Sequence, residues 1–325
     1  MPLGRFLTFE DPDRFQASIR APSYEMLAAA RNGFRAAVTR IDLDRLWMHR
    51  TAKNGPAMVR SMSDTGRLGI MFLADPEQAP PLRNGMELSA QDVVVHRPGA
   101  VNHLWSRGPN RLAMMSLGLE DAAAVGQAIV GREIEAPSET LLIRPAASAL
   151  ARLRALHESA GRLVRSEPDA FNGPAVTRSL EHDLIHAMIT CLAGHSPADE
   201  RHEAGSHAKV MARFEDFLTA RHLEPVYLAE ICAAIGTSER TLRAACHERF
   251  GMGPMRYLWL RRMQLARQAL RRADPARATV TAIATDHGFW ELGRFSVEYR
   301  GLFGEPPVAT LRRPAQEVPA KELAN

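Results

Sequence analysis

Short apolar runs with a period of two crowd the chain between about residues 36 and 120. AAVTRIDLDRLWMHR, LGIMFLA, QDVVVHRP and RLAMMSLGL alternate apolar with polar positions or are rich in β-branched residues. Turn chemistry separates them at Asn54-Gly55, Asp64-Thr65-Gly66, Asn84-Gly85 and Gly108-Pro109. Regular short strands divided by polar turns predict a β-sandwich or barrel. Residues 1–35 mix apolar and charged pieces and show no motif. After about Leu141 the period lengthens. Leu150, Leu153, Leu156 and Leu163 recur at broadly helical spacing. A turn through Pro168 and Gly173-Pro174 follows, and Leu180, Leu184, Ile185, Met188 and Leu192 repeat the pattern. Residues 196–207 are polar, contain Pro and Gly and lack a period, which predicts a linker. The stretch 314–325 is poor in apolar residues and predicts a disordered tail.

Between these, residues 208–313 read as helices, and part of the pattern occurs twice. Lys209–Arg221 is amphipathic, with Val210, Phe214 and Leu218 on one face. VYLAEICAAIGTSERTLRAACHERFG and TVTAIATDHGFWELGRFSVEYRGLFG then align on Gly236 and Gly288. Each has an isoleucine five residues before that glycine (Ile231, Ile283) and a large apolar residue in the next helix (Leu242, Phe295). Each ends on Phe-Gly, at Phe250-Gly251 and Phe303-Gly304, eight residues further on. A glycine between two short helices permits the positive φ of a sharp bend, so each copy predicts a helix-turn-helix. A long helix starting at Pro254, with Met255, Leu258, Ala266 and Leu270 on one face, is predicted to set the spacing of the two copies.

This doubled pattern resembles the AraC/XylS family of transcription regulators. The second copy carries most of the likeness, in IATDHGF, GRFSVEYRGLFGEPP and LRR. Thr310-Leu311 stands where many members have Tyr-Arg, as in the branch that regulates the catabolism of aromatic compounds. The resemblance implies an α+β chain. Its residues 1–195 would hold a jelly-roll, cupin-like β-barrel (about 36–120) followed by helices (about 141–193), for effector binding and dimerisation. Residues 208–313 would be an all-α DNA-binding domain with two helix-turn-helix units joined by a long helix. The second of the helices in 141–193 has a wide apolar face, which either caps the barrel or supplies the dimer interface that the resemblance implies.

Charge adds to this reading. The whole chain is formally +4, but residues 206–313 hold 17 Lys+Arg against 11 Asp+Glu, leaving the remainder slightly acidic. The basic excess thus coincides with the helix-turn-helix pattern, where a polyanion partner needs it. Cys191, Cys232 and Cys246 lack metal-ligand spacing and lie on apolar helical segments, which predicts buried thiols and a reducing, cytoplasmic setting. The charged start MPLGRFLTFEDPDRF is unlike a signal peptide, and no run reaches membrane-span length.

In the first unit Ser238 is placed to cap the recognition helix. Leu242, Cys246 and Phe250 form its buried face, so Cys246 is expected in the core rather than as a redox sensor. The opposite face offers Glu239, Arg240, Arg243, Ala244 and His247 to DNA. By position, Arg240 and Arg243 match family residues that reach base edges, and arginine can donate twice to guanine. In the second unit Leu292, Arg294, Ser296 and Arg300 are the corresponding candidates. Leu292 and Gly293 cannot hydrogen-bond bases through a side chain, so this unit is expected to position the protein or read thymine methyl groups. Trp290 is expected in the core.

DVVVHRPGAVNH is similar to a cupin metal motif, but such a site also needs a His-x-His and a carboxylate earlier in the chain, and His49 stands alone with no His-x-His near it. His96 and His103 are accordingly read as structural or ligand-lining, with no metal and no cofactor. Trp47, His49, Arg60, His96, His103 and Trp105 are the residues best equipped to line an apolar effector pocket inside the barrel. The leading expectation is a transcription regulator that binds double-stranded DNA sequence-specifically, controlled by a small organic effector (aromatic in the branch it resembles), homodimeric, contacting RNA polymerase if an activator, and without membrane association. Two alternatives stay open: a cupin-type metalloenzyme fused to a DNA-binding domain, and a ligand-independent regulator whose barrel is only an interaction module.

Overall fold

Alternation along the strands sorts side chains onto two faces, and in this chain both faces are covered. The computed structural model describes residues 3–27, 33–195, 201–202, 207–221 and 225–313. Thirteen strands among them form two antiparallel sheets. One runs in the order β1 (Gly4–Phe9), β3 (Ala36–Asp42), β4 (Leu46–Lys53), β11 (Asn110–Gly118), β6 (Arg67–Leu73), β9 (Val93–His96), β12 (Leu141–Ile143), β13 (Arg201–His202). The other runs β2 (Ser23–Met26), β5 (Ala57–Met62), β10 (Val101–Ser106), β7 (Leu82–Arg83), β8 (Met86–Glu87). Phe15, Val38, Val59, Met71, Leu73, Val94, Leu104 and Leu112 fill the space between the sheets. The opposite set of side chains on the larger sheet, Leu46, Met48, Ile70, Phe72, Val93 and Met115, packs under helices.

Those helices are α2 (Leu119–Val130), α3 (Ala147–Ser166) and α4 (Pro174–Ala193). The buried stripe of α3 is Leu150, Leu153, His157, Ala160 and Val164, a run of steps of three and four, with Gly161 beside it. His157, unremarked in the sequence, lies edge-on to Phe72 with ring centroids 5.4 Å apart. The apolar face of α4, with Leu184, Ile185, Met188 and Leu192, is buried in the same cluster, so the chain itself covers it.

Residues 1–35 are more structured than their mixed sequence suggests. They supply β1, β2 and the helix α1 (Pro12–Ser18), whose N-cap Asp11 accepts from the backbone of Asp13 at 2.8 Å and Arg14 at 3.3 Å. Of the predicted linker 196–207, Arg201–His202 pairs with Leu141–Leu142 at the sheet edge, and residues 196–200 and 203–206 lie outside the described residues. The tail 314–325 lies outside the described residues.

The helical half contains α5 (Ala208–Ala220), α6 (Leu228–Ile235), α7 (Glu239–Phe250), α8 (Pro254–Arg272), α9 (Val280–Asp286), α10 (Leu292–Phe303) and α11 (Pro307–Arg312). Tyr257, Leu258, Met263, Ala266 and Leu270 bury one face of α8 against both helix pairs, whereas Met255, expected on that face, is 54% exposed. Position 255 falls in the first turn of α8, off the buried side.

This half rests on the outer face of the smaller sheet, with Met58 and Trp105 joining its core. At the β7–β8 turn Asn84 and Gly85 both take positive φ, 44° and 90°, the pairing a two-residue hairpin favours. A Cβ on Gly85 would lie 2.6 Å from the Glu248 carbonyl oxygen, so glycine lets the hairpin press on the end of α7. On the other side α1 holds α8 and α11. Asp13 pairs with the buried Arg267 at 3.1 Å, and Asp11 pairs with Arg271 and Arg313, each at 3.2 Å.

Candidate nucleic-acid interface

The first helix pair turns at Gly236, which closes α6 in the left-handed region at φ 62°. Ser238 then caps α7, accepting from the Thr241 amide at 3.1 Å. Leu242, Ala245, Cys246 and Phe250 face inward, and Glu239, Arg240, Arg243, Ala244 and His247 face solvent. Burial pushes the Cys246 thiol up to about 12, so it stays protonated and inert near neutral pH. All three cysteines are free and buried.

The second pair repeats this design with a different surface. Thr279 caps α9, Gly288 makes the turn at φ 75°, and α10 buries Phe295, Tyr299 and Leu302. Arg294 and Arg300 are exposed, while Leu292 is half-buried against the core. Ser296 is turned back on its own helix, its Oγ donating to the Leu292 carbonyl at 3.0 Å. Trp290 was expected in the core and is instead 74% exposed. Phe289 and Phe295 already fill the space under the turn, with centroids 4.9 Å apart. Val297, which the sequence reading passed over, is also 74% exposed. An exposed valine and tryptophan on an otherwise amphipathic unit are the signal that marks this surface.

The pairs differ in how their arginines are held. Neither Arg240 nor Arg243 has a hydrogen bond or ion pair among the described residues. Arg294 is bound to Glu298 at 2.9 Å, and Glu298 also accepts from the Trp259 indole at 3.0 Å. Arg262 of α8 reaches both units, lying 5.9 Å from the Tyr227 ring at the start of the first, 5.4 Å from the Phe289 ring of the second, and directed at the Gly288 carbonyl at 3.5 Å.

The six residues expected to line one effector pocket fall into two sets. Trp47, His49 and His96 face the space between the sheets. Trp47 is sandwiched by the guanidinium groups of Arg20 and Arg67, 3.0 and 3.6 Å from its ring centre. Burial holds His49 down to about 4 and His96 to about 3, so both are neutral near pH 7. Arg60, His103 and Trp105 lie on the opposite face of the smaller sheet, under the helical half. The β5–β10 register sets His103 beside Arg60, Arg60 donates to Thr219 of α5 at 3.2 Å, and His103 packs at a tilt against Phe250 with centroids 4.7 Å apart. Burial, then Arg249, Arg60 and Arg83, push the His103 pKa well below its usual value. Its 3.5 Å approach to Glu215 is therefore a contact of a neutral ring. Odd positions of β10 meet the helices and even positions meet the interior, so these three side chains cannot share a cavity with the first set.

Two helix pairs, each with an exposed second helix on a basic body, define a tandem helix-turn-helix DNA-binding region. Residues 231–313 match the family described as a helix-turn-helix domain. Among curated proteins, the chain is 42% identical over 97 residues to a probable thc operon regulatory protein of Rhodococcus erythropolis, covering 30% of this chain and 29% of that one. It is 37% identical over 154 residues to a XylDLEGF operon transcriptional activator of Pseudomonas putida, covering 46% and 47%. The matches thus span half or less of these relatives' lengths. A solved probable AraC family transcriptional regulator from Rhodopseudomonas palustris is 34% identical, covering 34% of this chain and 99% of that one, with a TM-score of 0.29. The chain belongs to the AraC/XylS family of transcription regulators. No helix among the described residues is long and apolar enough to cross a membrane.

Proposed function

We propose that the chain regulates transcription by sequence-specific binding to double-stranded DNA, with residues 208–313 as the reader and residues 1–195 as a ligand-binding and dimerisation unit. The observation that carries the proposal is the exposed face of α7, where Arg240 and Arg243 have no hydrogen bond or ion pair among the described residues and stand on a capped helix. A guanidinium already bound to a carboxylate must break that bond to reach a base; these two do not. Glu239, Ala244 and His247 complete that face, and Ser238 fixes its start. In the second unit Arg294 and Arg300 contact phosphate, Leu292 and Val297 supply apolar contact, and Ser296 contributes through its place on the face. By analogy with the named operon activators, the output is activation, with RNA polymerase as a further partner. A small organic effector bound by the sheet half shifts the population of DNA-competent arrangements, which requires different affinities in the two states.

The test is binding of the full chain to fragments of its own genome over a salt series. Affinity should fall steeply with salt, since cation–phosphate contacts release counterions. Selected fragments that bind no better than random DNA would overturn the sequence-specific reading.

A further inference from the structure

The outward face of α10 carries almost no hydrogen-bonding chemistry. Its buried residues are Phe295, Tyr299 and Leu302. With about 3.6 residues per turn, the direction opposite them belongs to Gly293, Val297, Arg300 and Gly301. All four are exposed, Val297 to 74%. Trp290, exposed to the same degree just before the helix, extends the apolar surface at the N-terminal end, the end of a recognition helix that meets base edges. Arg294 lies to one side, tied to Glu298 at 2.9 Å. On the outward face only Arg300 can donate a hydrogen bond through a side chain.

The two glycines point further. Both lie within the helix Leu292–Phe303, where glycine is weaker than alanine. Neither has a positive φ, and a Cβ at either would meet nothing within 4 Å. The fold therefore has no use for glycine at these positions; alanine would fit and would strengthen the helix. What glycine provides here is on the outside, where a bare turn lets another surface approach the helix backbone. Gly293 and Val297 are four residues apart, so the bare turn and the exposed valine are neighbours on one face.

We propose that α10 seats Gly293 close against the base edges of a DNA major groove, and that Val297 there reads the C5-methyl groups of thymines. The proposal rests on the DNA-binding reading above and names what the second unit recognises. In the major groove the base pairs show donors and acceptors, and the thymine methyl is the apolar group among them. A valine set against a carbonyl or amine edge leaves that group without its hydrogen bond. Against a methyl it buries apolar surface at no polar cost. Arg300, further along the same face, and Arg294 at its side supply the positive charge that holds such a contact on a polyanion.

The experiment titrates the full chain against a duplex selected from its own genome, with each thymine in turn replaced by uracil, which removes the methyl and keeps the base pair. For the parent chain, uracil at one or more positions should weaken binding roughly fourfold, the worth of one buried methyl. In Val297→Ala those positions should no longer respond. Gly293→Ala should melt no lower than the parent and yet bind the selected duplex about tenfold more weakly, because the added methyl holds the helix off. Gly301→Ala makes the same change in the last turn, away from the end that meets the bases, and should melt no lower and bind as the parent does. Uracil effects that are absent, or that persist unchanged in Val297→Ala, overturn methyl reading by α10. Full affinity in Gly293→Ala, or an equal loss in Gly301→Ala, overturns the close approach. Loss of transcription without loss of DNA affinity in Val297→Ala assigns the face to a protein partner and overturns the inference as well. A parent chain that does not distinguish the selected duplex from a scrambled one overturns the sequence-specific reading itself, before any substitution is made.

Discussion

Aligned on their turns and on their closing Phe-Gly, the two helix-turn-helix units bury equivalent positions: Ile231 and Ile283, Leu242 and Phe295, Cys246 and Tyr299. The exposed positions do not correspond in chemistry. Gly293 stands where the first unit has Arg240, Ser296 where it has Arg243, and Val297 where it has Ala244. The capping serine of α7 is replaced by Glu291, which makes no side-chain cap bond. Their surroundings differ too. The end of α7 is pinned by the smaller sheet, through Phe250 on His103 and Gly85 against Glu248. Phe303, at the end of α10, is half-buried and lines an open cleft between the two halves, together with Phe9, Phe34 and Lys53. A repeated skeleton therefore supplies one unit suited to reading bases by hydrogen bonds and tied to the sheet half, and another suited to close apolar contact with DNA beside the cleft.

The sharpest way to break this comparison is to truncate the paired phenylalanines. Phe250 is fully buried and stacked on Tyr257 at 4.5 Å, so Phe250→Ala should cost about 3–5 kcal/mol in urea unfolding. Phe303→Ala should cost clearly less; equal losses would show that the two ends are packed alike. Next, Arg240→Ala and Arg243→Ala should each lose about 1–3 kcal/mol on the preferred site and little on random DNA. Arg294→Ala should weaken both kinds of DNA by a similar factor. Titration against matched and scrambled duplexes checks this, and a site-specific loss from Arg294→Ala would reverse the assignment of roles.

Acid separates the units by a third route. The folded pKa of His103 lies below the unfolded value of about 6.5, so the unfolded chain binds the extra proton. Its stability contribution is intact above that value and declines as pH falls, by about 1 kcal/mol near pH 6. Burial raises the neighbouring Glu215, which has the opposite sign and offsets part of this. Hydrogen exchange should therefore report loosening around Phe250 before Phe303 as pH drops from 7 to 5.5. The smallest stability effect is expected from Trp290→Ala, within about 0.5 kcal/mol because the side chain is largely exposed, with a measurable loss of DNA affinity. A large drop in Tm would instead return Trp290 to a packing role.

Much of the helical half is legible along the chain because its determinants are local. A glycine that must adopt positive φ, a capping hydroxyl, and apolar residues three or four apart specify each helix pair whatever it later touches. The strands β3, β4, β6, β9 and β11 are legible for a similar reason, since alternation and turn residues act within a few positions. β1, β2 and α1 are not, because their stability comes from partners remote in sequence: β3 for β1, β5 for β2, and Arg267 and Arg271 for the acids of α1.

What tertiary structure alone decided is which face of each strand meets which neighbour. In VNHLWS both faces are buried, so polarity cannot separate Asn102 and Leu104, which face the interior, from His103 and Trp105, which lie under the helical half. Residues chosen from sequence for their chemistry were thereby divided between two compartments. Lys53 escaped notice for the converse reason. A lysine before an Asn-Gly turn reads as solvated surface, and only its place between Ala36 and Asn110 in the sheet leaves Lys53 5% exposed, with no ion pair among the described residues. Sequence by itself determined the repeated DNA-binding skeleton, the strand-rich half before it and the placement of basic charge, because those are properties of neighbouring residues. The docking of the two halves, and the cleft it creates, depend on contacts more than 200 residues apart, such as Asp13 with Arg267, where no local pattern links the partners.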